Sequence, residues 1–298
     1  MATETNTFRP TLGNWVTIII LSCVWGCSFM LIKKALLSFS ALQVAALRMS
    51  ISGLIFLPYL CFRYKVIDWS KWKYYMVIGF VGGGLPAICF AIAQQHVNSS
   101  VAGVLNALAP LFTLVFGVVL FKNEFVPSRL VGVFIGLIGA IALIFLNTKQ
   151  GSSTSNQWYG MLCVMATMMY GISANTIGKY MKGLNSVDVV AVSYTIAGMP
   201  FLLVLLTLTD FVTVLQTKPE AWLSLSYMAI LALVGTVLAN IIFISLIQKT
   251  NALFGSMVTY MIPFVAILLG FLDHENIGIY HFGSMAMILG GVYITSKK

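Results

Sequence analysis

Charged side chains are scarce in this sequence, and apolar runs take their place. Only 8% of the 298 residues are charged, whereas 59% are hydrophobic; an ordinary soluble domain carries about 25% charged residues. Apolar stretches recur from one end of the chain to the other, and a helix of roughly 20 residues crosses the hydrocarbon of a bilayer. The composition therefore excludes a soluble protein and predicts an all-α polytopic membrane protein.

A basic surface of the kind that binds nucleic acid is also missing. The formal net charge is +9, but the lysines and arginines stand singly or in short pairs between apolar runs. They are not interleaved with aromatic residues as they are on nucleic-acid surfaces. We therefore expect no nucleic-acid partner, and the expected partners are the lipid bilayer and a small-molecule substrate. We expect a monomer, with a dimer as the other possibility.

The chain lacks the groupings that most membrane enzymes and pumps need. No G-x-x-x-x-G-K-[ST] motif for ATP is present, and ATP-driven transport is not expected. The three histidines are not clustered, and the five cysteines lie in or beside apolar runs as reduced packing residues. We expect no enzyme, catalytic residue, metal or cofactor. A non-transport membrane receptor or enzyme is kept as an alternative class.

Aspartate and glutamate are absent from the middle of every apolar run. Drug pumps for lipophilic cations and most proton-coupled carriers place a carboxylate in the apolar core, where substrate and proton compete. The absence favours facilitated or exchange transport of a zwitterionic or neutral solute. A drug or cation efflux carrier remains the alternative, because Asp188, Asp210 and Asp273 lie near run ends and could reach inward.

Polar and turn-rich segments divide the chain into ten candidate spans, five in each half. Residues 1–146 form the first half, 147–157 a polar Gly, Ser and Thr linker, and 158–298 the second half. The spans are expected near residues 15–34, 41–62, 74–95, 101–121, 128–146, 158–178, 188–209, 221–247, 252–272 and 278–295.

The second half repeats the first. Residues 25–34 return 145 positions later as 170–179, and Pro110 returns 153 positions later as Pro263. Because each half has an odd number of spans, the second copy must enter the membrane from the opposite side. The sequence thus predicts ten transmembrane helices arranged as two inverted five-helix repeats.

The distribution of lysine and arginine predicts the orientation of the spans. With the N-terminus inside, twelve of the seventeen basic residues fall on the cytoplasmic side, four on the other side and Arg48 within a span. Cytoplasmic segments carry the excess of positive charge in such proteins. We expect an integral plasma (inner) membrane protein with both termini in the cytoplasm and the 147–157 linker on the extracytoplasmic side.

Several motifs together resemble the EamA family of the drug/metabolite transporter superfamily. They are Trp25-Gly26-x-Ser28 in the first span, the lone Arg48 in the second, the mid-span Pro110, and Glu124 before a glycine-rich fifth span. The resemblance covers essentially the whole chain. It implies the ten-span inverted fold and the export or exchange of small metabolites, commonly amino acids and related compounds, by alternating access. The second half departs from the pattern, with Tyr170 in place of Trp and Ser193 opposite Arg48.

Arg48 is the clearest single candidate for function. A guanidinium within a span costs several kcal/mol and normally faces a cavity or a partner. Two interpretations stay open: Arg48 binds a substrate carboxylate, or it pairs with helix-end carbonyls or an acidic neighbour and fixes a gate.

Other polar or aromatic side chains near span centres complete the predicted substrate site, since hydrogen-bonding groups in hydrocarbon need partners or a wet cavity. For the serines the alternative is close packing of small residues. Pro110 and Pro263 are predicted hinges or static bends, and Glu124 and Glu275 are expected to accept amides at the starts of spans five and ten. The predicted substrate-binding residues are Trp25, Ser28, Arg48, Asn106, Tyr170, Tyr194, Asn240 and Tyr260.

Overall fold

The structure is a computed structural model that describes residues 11–124, 127–146, 158–275 and 277–296. Within these ranges the regular structure is entirely helical, and a short helix, Phe211–Thr217, precedes the eighth long one. The long helices are α1 (Leu12–Ala35), α2 (Ala41–Arg63), α3 (Trp69–Ala93), α4 (Ser99–Val119), α5 (Ser128–Leu146), α6 (Tyr159–Tyr180), α7 (Ser186–Thr207), α8 (Glu220–Lys249), α9 (Ala252–Leu272) and α10 (Ile279–Ser296).

Eight of the described helices are long and apolar enough to cross a membrane. The other two, α5 and α10, carry shorter apolar stretches at Val131–Phe145 and Ile279–Ile294. The expected all-α polytopic membrane fold is therefore confirmed at this coarser level. The predicted linker at 147–157 lies outside the described residues.

Four of the helices are interrupted, and the interruptions come in matching pairs. α3 and α8 each contain eight residues of wider π-helix, at Val77–Gly84 and Leu231–Leu238. α4 breaks after Asn106, and α9 tightens into a 3₁₀ turn at Met257–Tyr260. Regular helix resumes in α4 with Pro110 and in α9 with Pro263 as its second residue. Proline is tolerated there because the first amides of a helix have no intrahelical partner.

Glycines allow two pairs of helices to approach closely. On α7, a Cβ added at Gly198 would lie 2.5 Å from the carbonyl oxygen of Met49 and 3.0 Å from the Cα of Gly53, both on α2. On α10, a Cβ added at Gly291 would overlap the carbonyl oxygen of Gly132 on α5. The helix pairs α2 with α7 and α5 with α10 are thus held by backbone-to-backbone packing.

The remaining contacts surround the centre of the bundle. α1 packs against α8 and α9, and its counterpart in the second half, α6, packs against α3 and α4. α2 contacts the π-helical part of α8, and α7 contacts that of α3. Each of these contacts has a counterpart in the other half. The contacts of α1 with α8 and α9 correspond to those of α6 with α3 and α4, and the contact of α2 with α8 corresponds to that of α7 with α3. Helices α1–α4 and α6–α9 thereby enclose a common space.

Candidate functional site

A cavity of about 100 Å³ lies between the two halves of the bundle. A water molecule needs roughly 10–15 Å³ of such space, so this cavity has room for several waters or a small solute. Its lining comes from α1–α4 and from α6–α9, and most of it is aromatic or aliphatic. Apolar walls with a few polar groups are typical of small-molecule sites.

Seven of the eight predicted substrate-site residues line this cavity. Tyr260 is not part of the lining, and its hydroxyl donates to the carbonyl of Val292 on α10 at 3.3 Å. The seven residues that the fold brings together are Trp25, Ser28, Arg48, Asn106, Tyr170, Tyr194 and Asn240.

Arg48 is half-buried in the wall of the cavity on α2. Its Nε donates to the hydroxyl of Thr236 on α8 at 2.8 Å, and that hydroxyl in turn donates to the Leu231 carbonyl at 3.1 Å. This second bond spans five residues within the π-helix of α8, so the wider turn orients the oxygen that faces Arg48. No ion pair of Arg48 is found in the described part of the chain.

The neutral polar groups of the cavity are placed on opposite walls. On α8, Asn240 donates to the Thr236 carbonyl at 2.7 Å, which leaves its side-chain oxygen as an acceptor. On α4, buried Asn106 makes no side-chain hydrogen bond to any described residue. Ser28 on α1 donates to the Val24 carbonyl at 3.0 Å. Two amide groups thus have hydrogen-bonding capacity left for a ligand.

Aromatic rings form the rest of the pocket. Trp25 donates through Nε1 to the Gly235 carbonyl at 2.8 Å and packs edge-on against Phe243, with ring centroids 5.0 Å apart. Tyr170 stacks on Phe90 at 6.1 Å. These contacts hold rigid, partly apolar surfaces beside the charged and amide groups, an arrangement suited to an amphipathic solute.

Some cavity residues escaped sequence reasoning. Thr236 is the principal omission, because it holds Arg48 in place. Its spacing of four residues before Asn240 puts the two on one helix face, and that spacing was the available signal. Thr113, Ser256 and Thr259 also line the cavity. Single hydroxyls in apolar helices more often bond back to the preceding turn, as Thr113 does to the Ala109 carbonyl at 2.8 Å.

Beyond the cavity, charged groups join the helices at the end of the bundle where α1 ends. Lys33 lies 2.7 Å from Asp273 and 2.8 Å from Glu275, and Lys34 also pairs with Asp273. Hydrogen bonds from Lys33 and Lys34 lower the pKa of Asp273. We call this end of the bundle the Lys33 end.

Glu275 is the most enclosed member of this group. It accepts from the hydroxyls of Ser99 and Ser100 at 2.6 Å each and from their amides at 3.1 Å each. Burial raises the pKa of Glu275, but the bonds from Lys33, Ser100 and Ser99 outweigh it and leave the pKa below its ordinary value. Glu275 therefore accepts the first amides of α4, whereas the sequence predicted that it would accept those of α10.

A second ion pair joins helices at the opposite end. Arg63, the last residue of α2, lies 2.9 Å from Asp188 in the first turn of α7. The Tyr59 hydroxyl also donates to Asp188, at 2.6 Å. We call this the Arg63 end. The described residues contain no group of His, Cys, Asp and Glu that could hold a metal ion.

Comparison with known proteins gives a consistent family assignment. The sequence matches the EamA-like transporter family over residues 13–145 and again over 157–297. A solved crystal structure superposes with a TM-score of 0.64 at 15% identity, covering 96% of this chain and 97% of the other. At that level of identity the likeness shows the fold alone.

Curated relatives carry transporter names. The chain is 26% identical over 268 residues to the uncharacterized inner membrane transporter YedA of Escherichia coli K12, covering 88% of this chain and 83% of the relative. It is 22% identical over 289 residues to an uncharacterized transporter of Archaeoglobus fulgidus, covering 96% and 100%. It is 21% identical over 298 residues to the uncharacterized transporter YetK of Bacillus subtilis, covering 97% and 88%.

Proposed function

Because the chain belongs to the EamA-like transporter family in both of its halves, we propose that its central cavity is the substrate site of a secondary carrier. The family and the relatives' names indicate a membrane transporter rather than an enzyme. The proposed cargo is a small metabolite with a carboxylate, an amino acid or a related zwitterionic or neutral solute. The proposed direction is export, by facilitated or exchange transport.

The observation that carries this proposal is the position of Arg48. Its guanidinium lines a mostly apolar cavity, and a neutral Thr236 hydroxyl is the side chain that holds it. An arginine has five N–H donors in a planar fork that matches a carboxylate. A charge in such surroundings gains most from an opposite charge, so a substrate carboxylate is a favourable partner.

The rest of the lining suits the other parts of an amino acid. The side-chain oxygens of Asn106 and Asn240 can accept from an ammonium group. The rings of Trp25 and Tyr170 offer apolar surface to a side chain. In the described lining no acidic side chain is present, and a lipophilic cation would find no opposite charge there. This favours the amino-acid proposal over drug or cation efflux.

Alternating access between two inverted halves is the proposed mechanism. One support is that α2 packs against α7, its equivalent in the other half. A second is that the contacts of α1 with α8 and α9 have counterparts in those of α6 with α3 and α4. The paired interruptions before Pro110 and Pro263 are the proposed hinges, where few backbone bonds resist bending. In this proposal α5 and α10 complete ten spans, both termini are cytoplasmic in the inner membrane, and the carrier is a monomer.

Counterflow in proteoliposomes tests the proposed site. Vesicles loaded with one unlabelled amino acid are given labelled amino acids, and matched amino-acid amides that lack the carboxylate. For Arg48→Gln we expect counterflow of the carboxylate forms to fall about tenfold or more, the effect of losing one charge-assisted contact. Counterflow of the amides, measured relative to wild type, should fall much less. An equal loss for both sets would contradict substrate binding by Arg48 and favour a structural role.

A further inference from the structure

The charged group at the Lys33 end links three of the helices that line the cavity. We call it the Lys33 cluster, and it comprises Lys33 and Lys34 of α1, Ser99 and Ser100 of α4, and Asp273 and Glu275 after α9. The contacts are ion pairs and hydrogen bonds between separate helices. Water and dissolved ions can replace contacts of this kind when helices separate.

The cluster lies next to the cavity, on the side toward the Lys33 end. Ile32 is a buried residue of the cavity wall, and Lys33 is the next residue of α1. On α4, Asn106 of the wall comes six residues after Ser100, about 9 Å along a helix. A solute that leaves the cavity toward the Lys33 end between α1, α4 and α9 would have to pass the cluster.

The residues that the repeat makes equivalent to the cluster are in a different state. Glu124 is the repeat counterpart of Glu275, yet its side chain is exposed and engages no described residue. Lys179, the counterpart of Lys34, donates to the backbone carbonyl of Phe121 at 3.0 Å. The equivalent group is therefore not assembled, and it lacks part of the motif, since Gly178, Ala252 and Leu253 stand where the cluster has Lys33, Ser99 and Ser100. In inverted-repeat carriers the two halves are expected to exchange conformations as access alternates.

We infer that the Lys33 cluster is a reversible latch, which closes the cavity at the Lys33 end and separates once in every transport cycle. This inference rests on the proposed function. Glu275 is the central element, because it is the member of the cluster that binds both α1 and α4. The assembled state seen here is the one with access from the Lys33 end blocked.

Thiol labelling of the cavity wall tests the latch without measuring transport. Ile32→Cys is introduced into a chain whose five native cysteines are replaced, and a membrane-impermeant maleimide is added to one side of sealed vesicles and then, separately, to the other. Labelling from the Lys33 side should be slow in this background. Adding Glu275→Gln should raise that rate about tenfold, the change expected when one partly buried ion pair is lost.

Two further variants decide between a latch and a general loss of structure. The milder pair Ser99→Ala with Ser100→Ala keeps every charge and should raise labelling from the Lys33 side by a smaller factor. The matched control is Asp188→Asn, which removes the ion pair at the Arg63 end and should leave that rate unchanged. The latch is contradicted if Glu275→Gln and the serine pair leave the rate unchanged, or if Asp188→Asn raises it equally.

The outcomes separate this inference from the proposed function. If counterflow requires Arg48 but the labelling rate does not change in the cluster variants, the proposed carrier function is supported and the latch is wrong. If the labelling rate rises in the cluster variants as expected but no amino acid is transported, the latch is supported and the proposed cargo is wrong.

Discussion

At the scale of single residues, a charged side chain in an apolar helix was the strongest signal in the sequence. The partner of that side chain could not be predicted from the sequence. Arg48 stands out because a guanidinium is costly in a span. Its partner Thr236 does not, since a lone threonine in an apolar helix normally bonds to its own backbone. Only the folded chain brings α2 and α8 together, where the two side chains meet at 2.8 Å.

Removing the Thr236 hydroxyl tests the role of this contact. In Thr236→Val the guanidinium keeps its charge but loses the acceptor that orients Nε. A hydrogen bond to a charged group contributes about 1.5–3 kcal/mol, so the KM for carboxylate substrates in counterflow should rise about tenfold or more. Maximal counterflow should change less.

Thr113→Val is the matched control for that substitution. Thr113 also lines the cavity, but its hydroxyl donates to the Ala109 carbonyl of its own helix at 2.8 Å. The same loss of one hydroxyl there should leave the KM within about twofold of wild type, since no charged group loses a partner. A similar rise in KM for both variants would show that cavity shape, rather than the orientation of Arg48, controls affinity.

At the scale of helices, the apolar composition and the polar segments between apolar runs predicted most of the helices. The π-helical and 3₁₀ interruptions within them depend on long-range packing. The predicted spans at 15–34 and 221–247 compare with observed helices Leu12–Ala35 and Glu220–Lys249. The glycine run of α3 indicated an irregular helix, and Val77–Gly84 is π-helical. The same conformation in Leu231–Leu238 had no such signal. It depends on tertiary contacts that a local pattern does not contain.

The close approach of α2 and α7 gives a stability prediction. In Gly198→Ala the new methyl carbon would lie 2.5 Å from the Met49 carbonyl oxygen and 3.0 Å from the Gly53 Cα. Backbone atoms cannot move aside as a flexible side chain can, so the helices must separate. Overpacking of this kind destabilises by about 1–3 kcal/mol, and the midpoint of thermal unfolding in detergent should fall.

Gly290→Ala on α10 provides the comparison for that experiment. A Cβ added at Gly290 meets nothing within 4 Å, and alanine is intrinsically a better helix former than glycine by about 1 kcal/mol. This variant should match or slightly exceed the wild-type midpoint. If both alanines lower the midpoint equally, the α2 and α7 contact is less tight than the glycine geometry indicates.

At the scale of the whole molecule, the repeated sequence predicted two related halves, whereas the central cavity required their packing. The site draws residues from both copies, for example Trp25 and Tyr170, which are equivalent by the repeat. Neither half contains the site by itself. Sequence periodicity indicates which residues face inward from a helix, but the distance between facing helices follows from all of the contacts together.

The proposed inverted arrangement makes a direct prediction about topology. Leu37 follows α1 and Lys182 follows α6; the two positions are 145 residues apart, equivalent by the repeat, and both are exposed. Because five spans, α2 to α6, lie between the two positions in a ten-span chain, the positions must lie on opposite sides of the membrane. Single cysteines at the two positions, in a chain without native cysteines, should react with an impermeant thiol reagent from opposite sides. Labelling of both positions from the same side would mean that the two halves are parallel. Exchange of conformations between parallel halves could not open the cavity first to one side of the membrane and then to the other.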